Sequence, residues 1–337
     1  MMLTRRMVIA GLSLCAGFTS ATRSRAQTEA APFKIVAFAG ASNWPYWVAE
    51  AKGFFQREGL AVSLEITPNS AELAKNLHHG RYDLAFSSVD NIVAYNEAQG
   101  EADLGGPADF AAIFGVDNGL LSVMAVPEVK TFADLKGKTL SVDAMTTGFA
   151  FVLRDLLARN GLNETDVQIV PVGGGAQRLE ALLKKEQAAT LLNTPLDLVA
   201  EAKGFNRLAR ARDHFGAYQG IVAAMRRDRA KEQRARVEAF IRGFHASVTW
   251  LADAANRNEA VTLLTGKMRS MERASAERAY ETLLDPAEGI YRDLRIDAQG
   301  LATVLRLRST YAPARKLLTE PDRYIDLTYL KTALNRS

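Results

Sequence analysis

The sequence predicts an α/β protein of about two domains. Three observations carry this: a 337-residue chain that is 48% hydrophobic and 24% charged, short β-rich runs that alternate with helical patterns, and turn residues between them. A chain this long exceeds one small core. Its composition excludes disorder and a fibrous fold. The only long apolar run free of charge is Met7 to Thr22, so no transmembrane bundle can be built.

Taken in order, Lys34 to Phe38 reads as a strand, Pro45 to Gln56 as a helix closed by Gly59, and Ala61 to Ile66 as the next strand. Ser70 reads as the cap of a helix to Leu77 that Gly80 ends. Tyr82 to Ser87 is then strand, and Asp90 begins another helix. A second set follows Asp117-Asn118-Gly119, with strands near Leu121 to Ala125, Thr139 to Val142, Val167 to Val172 and Ala189 to Leu192. Its helices are expected at Gly148 to Arg159, Ala176 to Lys185 and Pro195 to Lys203. Strands alternating with helices imply a mostly parallel sheet covered by helices. From Arg227 the chain becomes almost entirely helical, and Val237, Phe240, Ile241, Phe244, Val248 and Leu251 recur at the three-and-four spacing of a buried face.

The net charge of +4 invites a nucleic-acid reading, but the first 26 residues hold four arginines and no acid. Without them, 38 bases face 38 acids. Arg5-Arg6, the apolar stretch from Met7 to Phe18 and Ser24-Arg25-Ala26 form the basic, apolar and small-residue parts of a secretory signal. Residues 1–26 are therefore expected to be removed, with cleavage near Ala26, after export by the Sec or the twin-arginine route to the periplasm. The single cysteine, Cys15, would leave with the signal, so neither disulfides nor thiolate chemistry is expected in the mature chain. Lipidation there is disfavoured because Leu14 stands where a small residue is usual.

Trp44-Pro45-Tyr46-Trp47-Val48-Ala49-Glu50-Ala51-Lys52-Gly53-Phe54-Phe55, followed by Glu58-Gly59-Leu60-Ala61-Val62, resembles the opening of the substrate-binding proteins of the sulfonate, nitrate and thiamine-precursor ABC importers. Leu77 to Ala85, Phe132 to Val142, Gly161-Leu162 and the closing Tyr324 to Leu330 are similar to later parts of that family, in order. The chain departs from it at Lys185, Ala188, Ala189 and Pro195, where the family usually carries a Gly and an Asp ahead of an Ala and a Pro. The resemblance implies a type II periplasmic binding protein fold: two lobes, a hinge crossed twice, and an interlobe ligand cleft. Residues 31–117 with 224–337 are expected to form lobe 1, and 118–223 lobe 2.

In open α/β sheets ligands lie beyond the carboxyl ends of strands, where helix N-termini present free N–H groups. Those positions select Ser42, Asn43, Trp44, Ser87, Ser88, Asn118, Thr146, Thr147, Gly174, Asn193 and Thr194 as ligand-binding candidates, with Arg178 as an anion clamp. Each hydroxyl or amide has an alternative role as a helix cap. Trp44 is an aromatic suited to stacking on a planar ligand, or else to packing between helices. Uncharged donors, rather than a basic pocket, are expected to hold the solute.

Enzyme signatures fail. Gly137-Lys138-Thr139 lacks the earlier glycine of a phosphate-binding loop, because Phe132 stands there, and Gly173-Gly174-Gly175 lacks dinucleotide spacing. There is no G-x-S-x-G elbow and no H-E-x-x-H. His78 and His79 are adjacent and cannot chelate one metal together. The basic run Arg226 to Arg236 is interrupted by acids and lacks aromatics, which reads as a solvated helix face rather than a nucleic-acid site. No cofactor, metal, catalytic residue or nucleic-acid partner is expected. The expected function is capture of a small organic or anionic solute, of the sulfonate, aromatic acid, pyrimidine or nitrate class, and delivery to an ABC permease by a monomeric receptor. The alternatives are a thiamine-pyrimidine-synthase-like enzyme of the same fold, which the export signal disfavours, and a periplasmic sensor module.

Overall fold

A computed structural model of the chain describes residues 31–269 and 271–336. The expected signal segment, with Cys15, lies outside the described residues. Two five-stranded sheets organise the fold. The first contains β1 (Phe33–Ala37), β2 (Val62–Ile66), β3 (Leu84–Ser88), β4 (Phe110–Gly115) and β10 (Ile221–Arg226), in the order β2-β1-β3-β10-β4. The second contains β5 (Leu121–Ala125), β6 (Thr139–Val142), β7 (Gln168–Pro171), β8 (Ala189–Asn193) and β9 (Asn206–Arg210), in the order β7-β6-β8-β5-β9.

The two sheets repeat one plan. Three strands pair in parallel through helical crossovers: β1 with β2 and β3, and β6 with β7 and β8. The other pairings are antiparallel, β10 with β3 and β4, and β5 with β8 and β9. The expected mostly parallel sheet is thus two mixed sheets. Parallel neighbours need a long crossover, whereas the chain passes from β4 in one sheet to β5 in the other without an intervening helix, and returns from β9 to β10 after only the short helix Ala211–Phe215.

Several expected elements shift for local reasons. The single helix expected from Pro45 to Gln56 is two, Trp44–Ala51 and Phe54–Arg57, because Gly53 adopts φ 68° between them. Asn69 rather than Ser70 caps the helix Ser70–His78, its side chain accepting from the Glu72 N–H at 2.8 Å. Strands β4 and β9 are additions. The second carries two arginines at a sheet edge and lacks the β-branched signature of a strand, whereas the first, with Phe110, Ile113 and Phe114, is a short apolar run that periodicity alone does not separate from a helix.

The helix Arg234–Ala252 buries every position of its expected apolar face. Phe240 stacks on Phe55 at 5.1 Å, and Phe244 lies 5.3 Å from Phe86 and 5.2 Å from Phe114. One aromatic cluster therefore joins this C-terminal helix to the first sheet. At roughly 1.5–3 kcal/mol for each large apolar side chain buried, the cluster is a major part of that sheet's stability.

Where the chain passes between the sheets, the segments before β5 and before β10 are fastened together. Val116 N–H donates to the Ile221 carbonyl at 2.8 Å, and Gly220 N–H to the Asp117 carbonyl at 3.0 Å. Asp117 Oδ1 accepts from the N–H groups of Gly119 (2.8 Å) and Ile221 (3.1 Å), so one carboxylate holds both passages. A Cβ on Gly220 would sit 2.1 Å from the Gly119 nitrogen, and only glycine permits this approach.

A second tie joins the two halves. Arg308, in the helix Ala298–Tyr311, is fully buried and bidentate on Asp90, with Nε to Oδ1 at 2.8 Å and Nη2 to Oδ2 at 2.5 Å. Its Nη2 also donates to the Thr146 carbonyl at 2.7 Å and its Nη1 to Gln99 at 3.2 Å, while the guanidinium lies 4.9 Å from the Phe151 ring centroid. Asp90 follows β3, and Thr146 and Phe151 follow β6, so one cation bridges both sheets.

Two outcomes follow from these ties. Arg308→Ala leaves the Asp90 carboxylate buried without its partner and is expected to cost about 3–5 kcal/mol in urea unfolding; a loss no larger than that of an exposed ion pair, about 1 kcal/mol or less, would refute the assignment. For Asp117, burial pushes the pKa up to about 6 against the opposing pull of its two backbone donors. The folded state then binds more protons than the unfolded state between about pH 4 and pH 6, so stability falls as pH rises through that window, by about 3 kcal/mol. Asp117→Asn keeps an acceptor for both N–H groups, and its unfolding free energy should fall less than wild type's from pH 4 to pH 7. Parallel profiles for the two proteins would sink this account.

Candidate functional site

The carboxyl ends of the parallel strands of both sheets border one cavity of roughly 560 Å³, counting its open mouth. From the first sheet come Phe38 and Ala39 after β1, Ser42, Ser88 at the end of β3, Asn91 and Ile221. The second contributes Asp143 after β6, Thr147, Gly148, Phe149, Gly174, Gly175, Arg178 and Asn193 at the end of β8.

Three helices begin at this cavity: Val89–Asn96 capped by Ser88, Gly148–Arg159 capped by Thr147, and Gly175–Leu183 after Gly174. Their N-termini bring free N–H groups and partial positive charge to its wall. Ser88 Oγ accepts from the Asp90 N–H at 3.3 Å, and Thr147 Oγ1 accepts from the Ala150 N–H at 3.4 Å. For these two residues the capping and cavity-lining roles coincide. Ser87 lies one layer beneath, where its hydroxyl accepts from Asn91 Nδ2 at 3.0 Å and so orients an amide that does line the cavity.

Among the described residues two charged side chains line the cavity, Asp143 and Arg178. Arg178 is 2% exposed; its Nη1 donates to the Leu191 carbonyl at 2.7 Å, and its Nε has no hydrogen-bond partner among the described residues. Burial lowers its pKa, opposed by the charge of Asp143. Asp143 Oδ1 is enclosed and likewise has no hydrogen-bond partner among the described residues. Burial raises the Asp143 pKa, while Arg178 and the Ser70 hydroxyl draw it down and Glu101 adds a further upward push. Beside the uncharged donors expected from the sequence, the cavity thus carries one acid and one base, the latter being the arginine singled out there as an anion clamp.

Of the residues selected from sequence, Ser42, Ser88, Thr147, Gly174, Asn193 and Arg178 line this cavity. The others lie elsewhere. Trp44 is fully buried and packs edge-on against Tyr280 at 5.9 Å, so it is an inter-helix core residue and not a stacking platform. Asn43 is also fully buried, and its Nδ2 donates to the Phe38 carbonyl at 2.8 Å, shaping the turn after β1. Thr146 N–H and Oγ1 are engaged by Glu101 at 2.8 and 3.0 Å. Asn118 and Thr194 line a different cavity with Asp197 and four arginines: Arg207, Arg210, Arg212 and Arg278. Each of those arginines pairs with a carboxylate: Asp197 and Glu201 for Arg207, Glu288 for Arg210 and Arg212, and Glu201 for Arg278.

Sequence reasoning missed Phe38, Ala39, Asn91, Asp143, Gly148, Phe149, Gly175 and Ile221. For Asp143 a signal existed, since it directly follows the strand Thr139–Val142. Asn91 carried none, because a helical residue reaches the cavity only through its facing.

Two mixed sheets of one plan, joined by a double passage of the chain and enclosing a polar cavity at their facing strand ends, define the periplasmic binding protein fold, type II. The chain belongs to the NMT1/THI5-like family, whose sequence profile matches residues 41–257. Solved structures agree on the fold. A Bordetella bronchiseptica RB50 protein is 21% identical with a TM-score of 0.75, over 91% of this chain and 98% of that one. The periplasmic nitrate-binding protein NrtA of Synechocystis PCC 6803 is 14% identical with a TM-score of 0.74, over 90% and 88%. The alkanesulfonate-binding protein SsuA of Xanthomonas axonopodis pv. citri, bound to MOPS, is 17% identical with a TM-score of 0.68, over 86% and 96%. No curated protein matches the chain in sequence.

Gly148 gives this site a sharp test. A Cβ there would lie 2.5 Å from both Cβ and Cγ of Asp90, the residue that holds Arg308. Gly148→Ala is expected to push the second half away from the first, costing about 1–3 kcal/mol through overpacking and weakening any ligand of the cavity. Unchanged unfolding and unchanged ligand affinity would contradict the close approach.

Proposed function

We propose that the protein is a solute-binding receptor of an ABC importer, which captures a small organic or anionic solute and delivers it to a membrane permease. The observation that carries this reading is the cavity itself: polar groups and helix N-termini from both sheets converge on it, and the sheets are joined by a double passage. Lobe 1, residues 31–117 with 224–337, and lobe 2, residues 118–223, close around the solute by motion at that passage. Membership of the NMT1/THI5-like family supports it, as do the nitrate-binding and alkanesulfonate-binding names of proteins with the same fold.

The protein works as a monomer and performs no chemistry on its solute. It acts in the periplasm after loss of residues 1–26. The basic, apolar and small-residue segments of the N-terminus support export, and among the described residues no helix is long and apolar enough to cross a membrane.

A thermal-shift screen of sulfonates, aromatic carboxylates, pyrimidines and nitrate tests the reading. A solute that binds only the folded form stabilises it by RT ln(1 + [L]/Kd), about 2.7 kcal/mol at a hundredfold excess over Kd. Asn193→Ala and Phe149→Ala should blunt the shift of the responding solute while leaving the unliganded protein folded. A responder that binds these variants as well as wild type would place the site elsewhere, and turnover of the solute would overturn the receptor reading.

A further inference from the structure

The charge of the solute follows from two atoms, on the reading that the cavity is a receptor site. Arg178 Nε and Asp143 Oδ1 are both enclosed and unpartnered, and both residues line the same cavity. They do not satisfy each other. Leaving a buried guanidinium N–H and a buried carboxylate oxygen without partners is unfavourable, and structures rarely retain such atoms unless something else completes them.

Three kinds of solute can be weighed against that pair. A bare anion would accept from Arg178 but would meet the like charge of Asp143; a bare cation would meet the reverse. A solute carrying both an acceptor and a donor completes both atoms and adds no net charge to an enclosed space. We propose that the solute is a small zwitterion, with its acid group on Arg178 and its ammonium group on Asp143. The acid end also meets the first turn of the helix Gly175–Leu183, whose partial positive charge has the right sign. Phe38 and Phe149 supply apolar surface for the carbon atoms between the two ends. Glu101, the other carboxylate that acts on Asp143, is held by the Thr146 N–H and hydroxyl and is not placed to take the ammonium group.

The test compares pairs of solutes that differ only in the ammonium group: 2-aminoethanesulfonate with ethanesulfonate, and 3-aminopropanoate with propanoate, by calorimetry on the full mature chain. The expected result is that at least one zwitterion binds about tenfold or more tighter than its partner, the worth of one charge-assisted hydrogen bond. Asp143→Asn, which preserves shape, should remove that preference, and Arg178→Gln should weaken binding of the zwitterion. Equal or tighter binding of the ammonium-free acid overturns the zwitterion while leaving the receptor intact, as does a preference that survives in Asp143→Asn. If only a pyrimidine or nitrate binds, the zwitterion again falls and the receptor stands. Failure of every solute class to bind counts against both.

Discussion

The arrangement depends most on one buried cation. Arg308 carries its full charge out of water, and desolvating it is unfavourable unless its N–H groups find acceptors. They find Asp90, Gln99 and the Thr146 carbonyl, with the Phe151 ring beneath. Because these acceptors come from segments that follow β3 and β6, the charge is satisfied only when both halves of the chain are in register. The same carboxylate fixes the closeness of Gly148, since Asp90 lies where any side chain at that position would go. The N-terminus of the helix Gly148–Arg159 is therefore delivered to the cavity wall by an interaction that never touches the cavity.

Asp117 plays the matching part at the passage between sheets. One carboxylate oxygen collects N–H groups from both strands of the passage, which replaces a sheet ladder where no sheet exists. Full burial of that acid works against its ionised form, so the passage is stable but its stability depends on pH.

Electrostatics divide the two cavities. The arginine-rich one, with Asn118 and Thr194, has its positive charge met by Asp197, Glu201 and Glu288, and so reads as a structural network between helices and strands. In the cavity at the strand ends the charges are fewer, and an acid and a base each keep an enclosed atom without a hydrogen-bond partner among the described residues, whereas in the arginine-rich cavity the atoms left so, Arg207 Nε among them, belong to arginines paired with carboxylates. An unpartnered atom is a stronger sign of a ligand than a larger number of paired ones, because only the former gains by recruiting something from outside.

The sequence by itself determined the α/β class, the order of most strands and helices, the break in character after Arg227, and the family to which the chain belongs. It did so because apolar periodicity, glycine turns and the motifs around Trp44 and Phe132 are local properties, written within a few residues. It also selected Ser42, Ser88, Thr147, Gly174, Arg178 and Asn193, which line one cavity, since strand ends and helix starts are legible in one dimension. Direction was not legible. Trp44 and Asn43 occupy the same kind of junction as Ser42, yet their side chains turn into the core, and whether a residue faces a cavity or the layer beneath it is decided by what packs against it. The antiparallel pairing of β5 and β10 with their neighbours, the pairing of Arg308 with Asp90 across 218 positions, and the meeting of Asp143 with Arg178 at one cavity belong to tertiary structure alone. Each joins residues that carry no signal of one another until the chain has brought both sheets together.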